Sequence, residues 1–593
     1  MITSLGAHWE GTANTMADAF AVGSSLCVVA GPSLTCAEHA PHFHSFIEGA
    51  RRAGFNVTIV SAGDDTYTSD AAPSAMVSNS GLDVQYYRPS VPPIEPAHLR
   101  LTIDIFRHLR GQQFDAIFFP DRDALGYASI IAKQTGLAFA KTILGVIAFG
   151  TSRWERERNH RFPANLVTIA TEFTEQQAIE HADVVILSSH EAAAWMESAG
   201  WQLGAKFSLT QEAGNTAFES DTWPGIFQKI RAGQSEREAA ARDDTNANDV
   251  TVVIAHYEQP GLLDQNLEAL TRQTARNFSV VVVDDGSKSA EAANYLATIE
   301  ARYRTLNLRL LRQENRYLGA ARNAGIRAAN TDFVILLDDD NVAYPDMVKT
   351  LRRAIHLTEA DTVTCGISAF HDAAEPPRPD MTRSGSDRFF TAGPVLLAAI
   401  HNCLGDASAI YRKAIFEKIG YFHELHGVTF EDWQMHLRIV AAGLRLLSVP
   451  EPLVWYRVRS GSMLNTTPHY DNARVIASTI DTLPCAMLRP LTDYLIGSEL
   501  EATALCATTA ANSAALLDAT RHARNLEEIL EQRNKSTKEA EDYARSLEVT
   551  LAELQESHRT AGEYAASLER SRAEMEIYAK QLEAELRKVS GTG

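Results

Sequence analysis

The run TDFVILLDDDNVAYPD, Thr331 to Asp346, drives five apolar residues into three aspartates and an asparagine. Carboxylates crowded this way repel one another unless something positive meets them, and Mg2+ or Mn2+ prefers hard oxygen ligands of this kind. Most acidic runs are solvated surface, and this chain is acidic throughout, with 75 Asp+Glu against 55 Lys+Arg. Here the context argues for more. Phe333 to Leu337 reads as a buried strand, short, continuously apolar and closed by polar residues. The carboxylates then sit at its C-terminal end, where open α/β sheets bind ligands. Neighbours on an extended chain point oppositely, so Asp338 and Asp340 are expected to share one ligand while Asp339 faces away.

Four further stretches carry matching chemistry. In VIAHYEQ, His256, Tyr257 and Glu258 stand just past a buried strand, suited to gripping a ring or ribose; an ordinary loop is the alternative. VVVVDDGS ends a strand in Asp284 and Asp285, whose acceptor oxygens match a base imino group or ribose hydroxyls. A β-turn accounts for Asp-Gly-Ser equally well. ENRYLGAARNAGIRAA sets Asn315, Gly319, Arg322, Asn323 and Gly325 at the opening of a helix, where backbone N–H groups and an arginine fork favour anions. The glycines also suit close packing. TFEDWQMHLRIVAAG opens a helical pattern with Glu431 and Asp432, which could simply complement the helix dipole.

In this order and at strand ends, these pieces resemble glycosyltransferase family two, with its nucleotide-sugar-binding GT-A fold, over about 250–463. The resemblance implies that Asp285, with the neighbouring His256, Tyr257, Glu258, Asp284, Asn315 and Arg322, holds a nucleotide sugar. It implies that Asp338 and Asp340 serve a divalent metal, Mn2+ or Mg2+, with Asp338 and Asp339 also near the sugar nucleotide. Asp432, beside Glu431, matches the family's base, a carboxylate that takes a proton from the acceptor hydroxyl. PEPLVWYRVRSGSM resembles the segment closing over the diphosphate, with Tyr456 and Arg457 in its usual Tyr-Arg; Arg459 stands where many relatives have histidine. GDASAIYRKAIFEKIGYFHE resembles the acceptor side, with Asp406 and Arg412. The implied reaction is a single inverting displacement from a nucleotide-diphosphate sugar onto a glycan or glycolipid acceptor, in surface polysaccharide biosynthesis. A nucleotidyltransferase shares these carboxylates, but VIAHYEQPG lacks a glycine- and arginine-rich phosphate loop. A non-catalytic sugar-nucleotide-binding scaffold is the third reading.

The elements that must position these residues alternate strand and helix. At 593 residues the chain exceeds one core. Residues 1–230 alternate SLCVVAG, FNVTIVSAG, FDAIFFPD and ADVVILSSH with helical patterns, predicting a parallel sheet covered on both faces. HFHSFIEGARRAGFNVTIVSAG, FDAIFFPDRDALGYASIIAKQTGLAF and HADVVILSSHEAAAWMESAGW resemble the N-terminal, acceptor-side lobe of GT-B glycosyltransferases. That resemblance implies an acceptor-positioning or scaffold role. A polar linker is expected over 231–249, then a second doubly wound domain over 250–490. The expected fold class is thus α/β with two Rossmann-like domains and, over 491–593, a helical tail.

In that tail YARSLE, YAASLE and YAKQLE begin at Tyr543, Tyr564 and Tyr578, 21 and 14 residues apart, so each returns to one helix face. Heptad spacing predicts a coiled coil from about 526 and a homo-oligomer; a lone helix folded onto the body is the alternative. Its seam has Leu526, Leu547, Leu554, Leu568, Met575 and Leu582 in one column and Ile529, Tyr543, Tyr564 and Tyr578 in the other. Arg533, Ser536, Thr550, Ser557 and Ser571 weaken it.

Net charge of −20 argues against nucleic acid held by a general basic surface. Six cysteines without a CxxC pair fit neither a zinc site nor a disulfide framework, which suits a reduced, cytoplasmic setting. The first residues lack a basic start followed by an apolar core, so no secretory signal is expected. No run approaches 18 apolar residues, so no membrane span is expected; a peripheral position at the inner membrane face fits the substrate class.

Overall fold

The computed structural model describes residues 24–31, 40–52, 54–62, 83–87, 94–187, 190–203, 207–210, 248–371, 386–425, 427, 429–459, 476, 479, 509, 512–513, 515–521 and 538–590. The proposed linker up to residue 247, Ser460 to Met463 of the closing segment, and Leu526, Ile529, Arg533 and Ser536 of the tail lie outside them. The chain divides into two compact units, residues 1–159 with 169–479, and 160–168 with 480–593.

The larger unit holds two α/β sheets. Its first strands are β1 (Ser25–Ala30), β2 (Asn56–Ala62), β3 (Asp83–Tyr87), β4 (Ile94–Glu95), β5 (Ala116–Pro120), β6 (Ile143–Ala148), β7 (Val184–Leu187) and β8 (Phe207–Thr210). Seven form a parallel sheet in the order β3-β2-β1-β5-β6-β7-β8. The central strands β5, β6 and β7 read as unbroken apolar runs, buried at every residue, as expected where a parallel sheet is covered on both faces. β4 is missing from this sheet because it crosses to the other one.

The second sheet is built from β9 (Val250–His256), β10 (Ser279–Asp284), β11 (Leu308–Arg312), β12 (Phe333–Asp338), β13 (Val342–Ala343), β14 (Thr362–His371), β15 (Asp387–Arg388), β16 (Ile410–Arg412) and β17 (Leu446–Val458). Its order is β11-β10-β9-β12-β16-β14-β15-β4, with β17 pairing both β13 and β14. β10, β9 and β12 run parallel, and β16 runs against β12. Chain order reverses between β9 and β12, so their C-terminal ends, at His256 and Asp338, flank the switch point where such sheets leave a crevice. The helix Tyr317–Ala328 packs closely here: a Cβ on Gly325 would lie 2.3 Å from Val253 Cγ1, and one on Gly319 would lie 2.0 Å from the His423 carbonyl oxygen. Both glycines therefore serve close approach.

In the smaller unit Lys538–Ser590 is one helix of 53 residues. Leu547, Leu551, Leu554, His558 and Leu568 lie on its partly covered face, and His558 Nε2 is 2.7 Å from Ser513 Oγ. Leu547, Leu554, Leu568 and Met575 of the expected seam are on this face, but Tyr564 is 55% exposed. The covered stripe steps by four residues from Leu547 where the expected one steps by three. Among the described residues no helix is long and apolar enough to cross a membrane.

Candidate active site

β12 delivers its charge to the switch point, but not by pleating. The strand ends at Asp338, and Asn341 N donates to Asp338 O at 3.2 Å, so Asp339 and Asp340 are the middle of a turn. The expected alternation along an extended chain is corrected accordingly: a turn, once the ladder stops, aims the three side chains at three different elements. Asp338 Oδ1 accepts from Arg322 Nη2 at 2.6 Å. Asp339 Oδ2 lies 2.6 Å from His256 Nδ1. The Asp340 carbonyl accepts from Arg457 Nε at 3.0 Å, and its carboxylate stands 3.9 Å from Arg459 Nη1. Asn266 Nδ2 staples the turn from the helix Pro260–Thr271, donating to the Asp338 and Asn341 carbonyls at 2.8 and 3.0 Å.

Arg322 is buried and forked. One arm reaches Asp338 and the other Glu431, while Phe422 lies 5.7 Å from its guanidinium. Burial pulls its pKa down, but Asp338, Glu431 and Asp432 outweigh that and hold it above the ordinary arginine range. Glu431 and Asp432 open the helix Glu431–Ala441 as the sequence predicts, yet they differ. Glu431 is tied to Arg322, whereas Asp432 Oδ1 accepts from its own neighbour, Trp433 N, at 2.7 Å. Burial, then Glu431 and Asp406, push the Asp432 carboxyl up to about 8. Asp340 is pushed up to about 7 by burial and by the charges of Asp338 and Asp339. Asp406 is raised by burial and then by Asp338. Asp338, Asp340, Asp406 and Asp432 thus form one electrostatically linked set of carboxylates.

Other predicted residues hold the frame. His256 is buried against Asp339, so its ring braces the turn and is not open to a ligand as the gripping role requires. Asp285 accepts from Arg316 N, Tyr317 N and Gln313 Nε2 at 2.7 to 2.9 Å, capping the helix that carries Arg322. Asp284 Oδ1 accepts from Ser287 N at 3.0 Å, the turn that Asp-Gly-Ser also allowed. Glu258 accepts from Lys288 N and Ser289 N, and its pKa is lowered by the Ser289 side chain first and then by these backbone donors. Tyr257 and Asn315 are exposed. Arg457 is buried, held by Gln265 Oε1 at 2.7 Å over the Phe370 ring. Asn341 turns its Oδ1 to the Arg457 N–H at 3.1 Å.

Sequence reasoning missed Asn266. Its signal was a polar residue inside the apolar face of Leu263, Leu267 and Leu270, where a buried amide needs specific partners. Among the described residues no group of three or more His, Cys, Asp or Glu is placed to hold a metal ion. Asp338 and Asp340 are two hard-oxygen donors, a number that suits Mg2+-like ions sharing water or ligand oxygens.

Residues 251–420, which hold most strands of the second sheet, match the family model described as Glycosyl transferase family 2. Relatives bear this out: the succinoglycan biosynthesis protein ExoO of Rhizobium meliloti (strain 1021) is 31% identical over 36% of this chain and 62% of its own length. EpsH of Bacillus subtilis (strain 168) is 31% identical over 23% of this chain and 40% of its own length. The glycosyltransferase GlyG of Streptococcus pneumoniae is 24% identical over 37% and 73%. This chain therefore spans less than two thirds of ExoO and of EpsH. A mannosyltransferase from Pyrobaculum calidifontis, solved with GDP-Man and Mn2+, aligns over 59% of this chain and 95% of its own at 19% identity and a TM-score of 0.35.

Proposed function

We propose that this protein is a metal-dependent, inverting glycosyltransferase that moves a sugar from a nucleotide-diphosphate sugar to a glycan or glycoconjugate acceptor in surface polysaccharide biosynthesis. The carrying observation is the linked set Asp338, Asp340, Asp406 and Asp432 at the switch point of a sheet matching the transferase family.

In this reading Asp338 and Asp340 hold Mn2+ or Mg2+. The two residues fit such an ion, because each presents hard oxygens and their mutual repulsion falls when a cation sits between them. An ion held by these two residues would supply charge neutralisation to the leaving diphosphate. Asp432 accepts the proton of the acceptor hydroxyl as that oxygen attacks the anomeric carbon, while the bond to the diphosphate oxygen breaks on the opposite face. Arg322 keeps Glu431 occupied, so the carboxylate the helix offers to the acceptor is that of Asp432. Arg457 and Arg459 flank the side on which the diphosphate lies. Tyr257, Asp284, Asp285 and Asn315 border the nucleoside end, with the two aspartates acting through the loops they brace.

The division of labour along the chain is the one the sequence suggests: an acceptor-side domain to about 230, a linker, a catalytic domain over 250–490 and a helical tail. The tail assembles a homo-oligomer as a coiled coil, and the enzyme works in the cytoplasm at the inner membrane face.

Incubating the full chain with UDP-, GDP- and dTDP-sugars and Mn2+, and following release of the nucleoside diphosphate, tests the reading. Turnover of one donor supports it. Binding of a donor without turnover of any favours the scaffold alternative, and release of pyrophosphate from a sugar phosphate and a nucleoside triphosphate favours the nucleotidyltransferase.

A further inference from the structure

The two sheets exchange parts. β4, from the first half of the sequence, pairs in parallel with β15, and Phe389 N donates to Glu95 O at 2.7 Å. In return the Phe389 side chain is buried in the hydrophobic core of the first half, among Ile103 and Phe106, with Arg107 5.5 Å from its ring. Arg107 Nη2 donates to Asp387 Oδ2 at 2.6 Å, and the Asp387 side chain is wholly buried. Tyr127 OH donates to Thr391 O at 3.0 Å. Phe173 presses so closely on Gly393 that a Cβ there would lie 2.6 Å from Phe173 Cζ. The segment from Asp387 to Pro394 is therefore a strap gripped at four points by the first half.

The strap leads to the candidate site by two routes. It runs directly into the short helix Val395–Ala398, whose last carbonyl accepts from Trp433 Nε1 at 2.6 Å. Trp433 follows Asp432 and donates its backbone N–H to that carboxylate. Along the second route, Asp387 Oδ1 accepts from Ser368 Oγ at 2.5 Å, and Ser368 Oγ accepts from Tyr344 OH at 3.1 Å. Tyr344 lies just beyond the turn that carries Asp338 and Asp340, stacked on Trp455 of β17 at 4.9 Å.

We infer that Arg107 and Asp387 form a positioning pair through which the first half sets the Asp432 carboxylate and the acidic turn, so the first half is part of the transferase machinery and more than an acceptor platform. This rests on the role given to Asp432 above. A buried pair of this kind is a poor source of stability, since its desolvation cost offsets its attraction, but it fixes geometry well. Displacing a reacting group by about 1 Å costs on the order of a hundred-fold in rate.

The test uses the full chain with Arg107→Met, Arg107→Lys and Asp387→Asn. Hydrogen exchange is followed in peptides over 386–399 and 429–436, with β9 as an internal control. Nucleoside diphosphate release is measured on whichever of the UDP-, GDP- and dTDP-sugars the unaltered protein turns over, and affinity for the free nucleoside diphosphate is measured alongside. We expect Arg107→Met to lose protection in both peptides while β9 keeps it. Its kcat should fall on the order of ten- to a hundred-fold with nucleotide affinity unchanged, and Arg107→Lys should recover part of the loss. Asp387→Asn, which keeps a polar partner for Ser368, should lie between. Unchanged protection over 429–436, unchanged kcat, or an equal loss of protection in β9 overturns the inference. If the unaltered protein turns over no donor, the functional reading fails, and the exchange pattern alone decides the coupling.

Discussion

The C-terminal edges of the two sheets use carboxylates in opposite ways. At the first edge Glu175 is buried but accepts from Ser152 N at 2.8 Å, Ser152 Oγ at 2.7 Å and Asp123 N at 3.1 Å. Asp121 Oδ2 accepts from Gly150 N at 2.9 Å. These acids are latches that tie the turn after β5 to the start of the helix Ser152–Arg158. At the second edge the acids press on one another, and Asp432 and Asp340 are left with few donors. Burial alone therefore does not mark an active carboxylate. Both Glu175 and Asp432 are pushed up to about 8, chiefly by burial, yet one is fully bonded and the other is not. What separates them is the donor count around the charged form.

Replacing the odd acid at the second edge should have the largest effect on turnover. Asp432→Asn is expected to lower kcat by about 10²–10⁴-fold with donor affinity retained, read by nucleoside diphosphate release. A variant that keeps kcat would put the two edges in the same class. Next comes Arg322→Met, which strands Asp338 and Glu431 without their shared cation; denaturant unfolding should show a loss of about 3–5 kcal/mol. A loss under 1 kcal/mol would mean the fork is not a buried hub.

The pH response is smaller and has a definite sign. Asp432 must be ionised to accept a proton, so kcat should climb as pH rises toward and through about 8. Its folded pKa lies above the unfolded value, so the stability it contributes is complete below about pH 4 and is lost as pH rises through about 8. Asp432→Asn should therefore raise Tm more at pH 8.5 than at pH 5. A kcat independent of pH over 6–9 would remove Asp432 from the role of base. The smallest effect belongs to the first edge: Glu175→Gln should cost about 1–3 kcal/mol by setting an amide N–H against the Ser152 donors, with turnover unchanged.

Much of the second edge was readable before folding. An apolar strand stopping at Asp338, a helix opening at Arg322's turn and another opening at Glu431 are local patterns, and each element forms where its period predicts. What the sequence could not show is partner choice. Whether Asp285 meets a ligand or the Arg316 and Tyr317 amides depends on where a helix start lands 31 residues later. Glu431 and Asp432 are adjacent and alike in type; only the reach of Arg322 separates them. The crossing of β4 into the second sheet and of Phe389 into the first core are long-range pairings that leave no periodic trace, so the tidy split at about residue 230 read from composition hid an interlock.

The division of roles at the second edge is the central claim, and thermal shift of the full chain with UDP-, GDP- and dTDP-sugars, with and without Mn2+, tests it most directly. Asp340→Asn should lose the metal-dependent stabilisation by donor, and Asp432→Asn should keep it. Equal loss in both variants, or full retention in Asp340→Asn, would contradict the account.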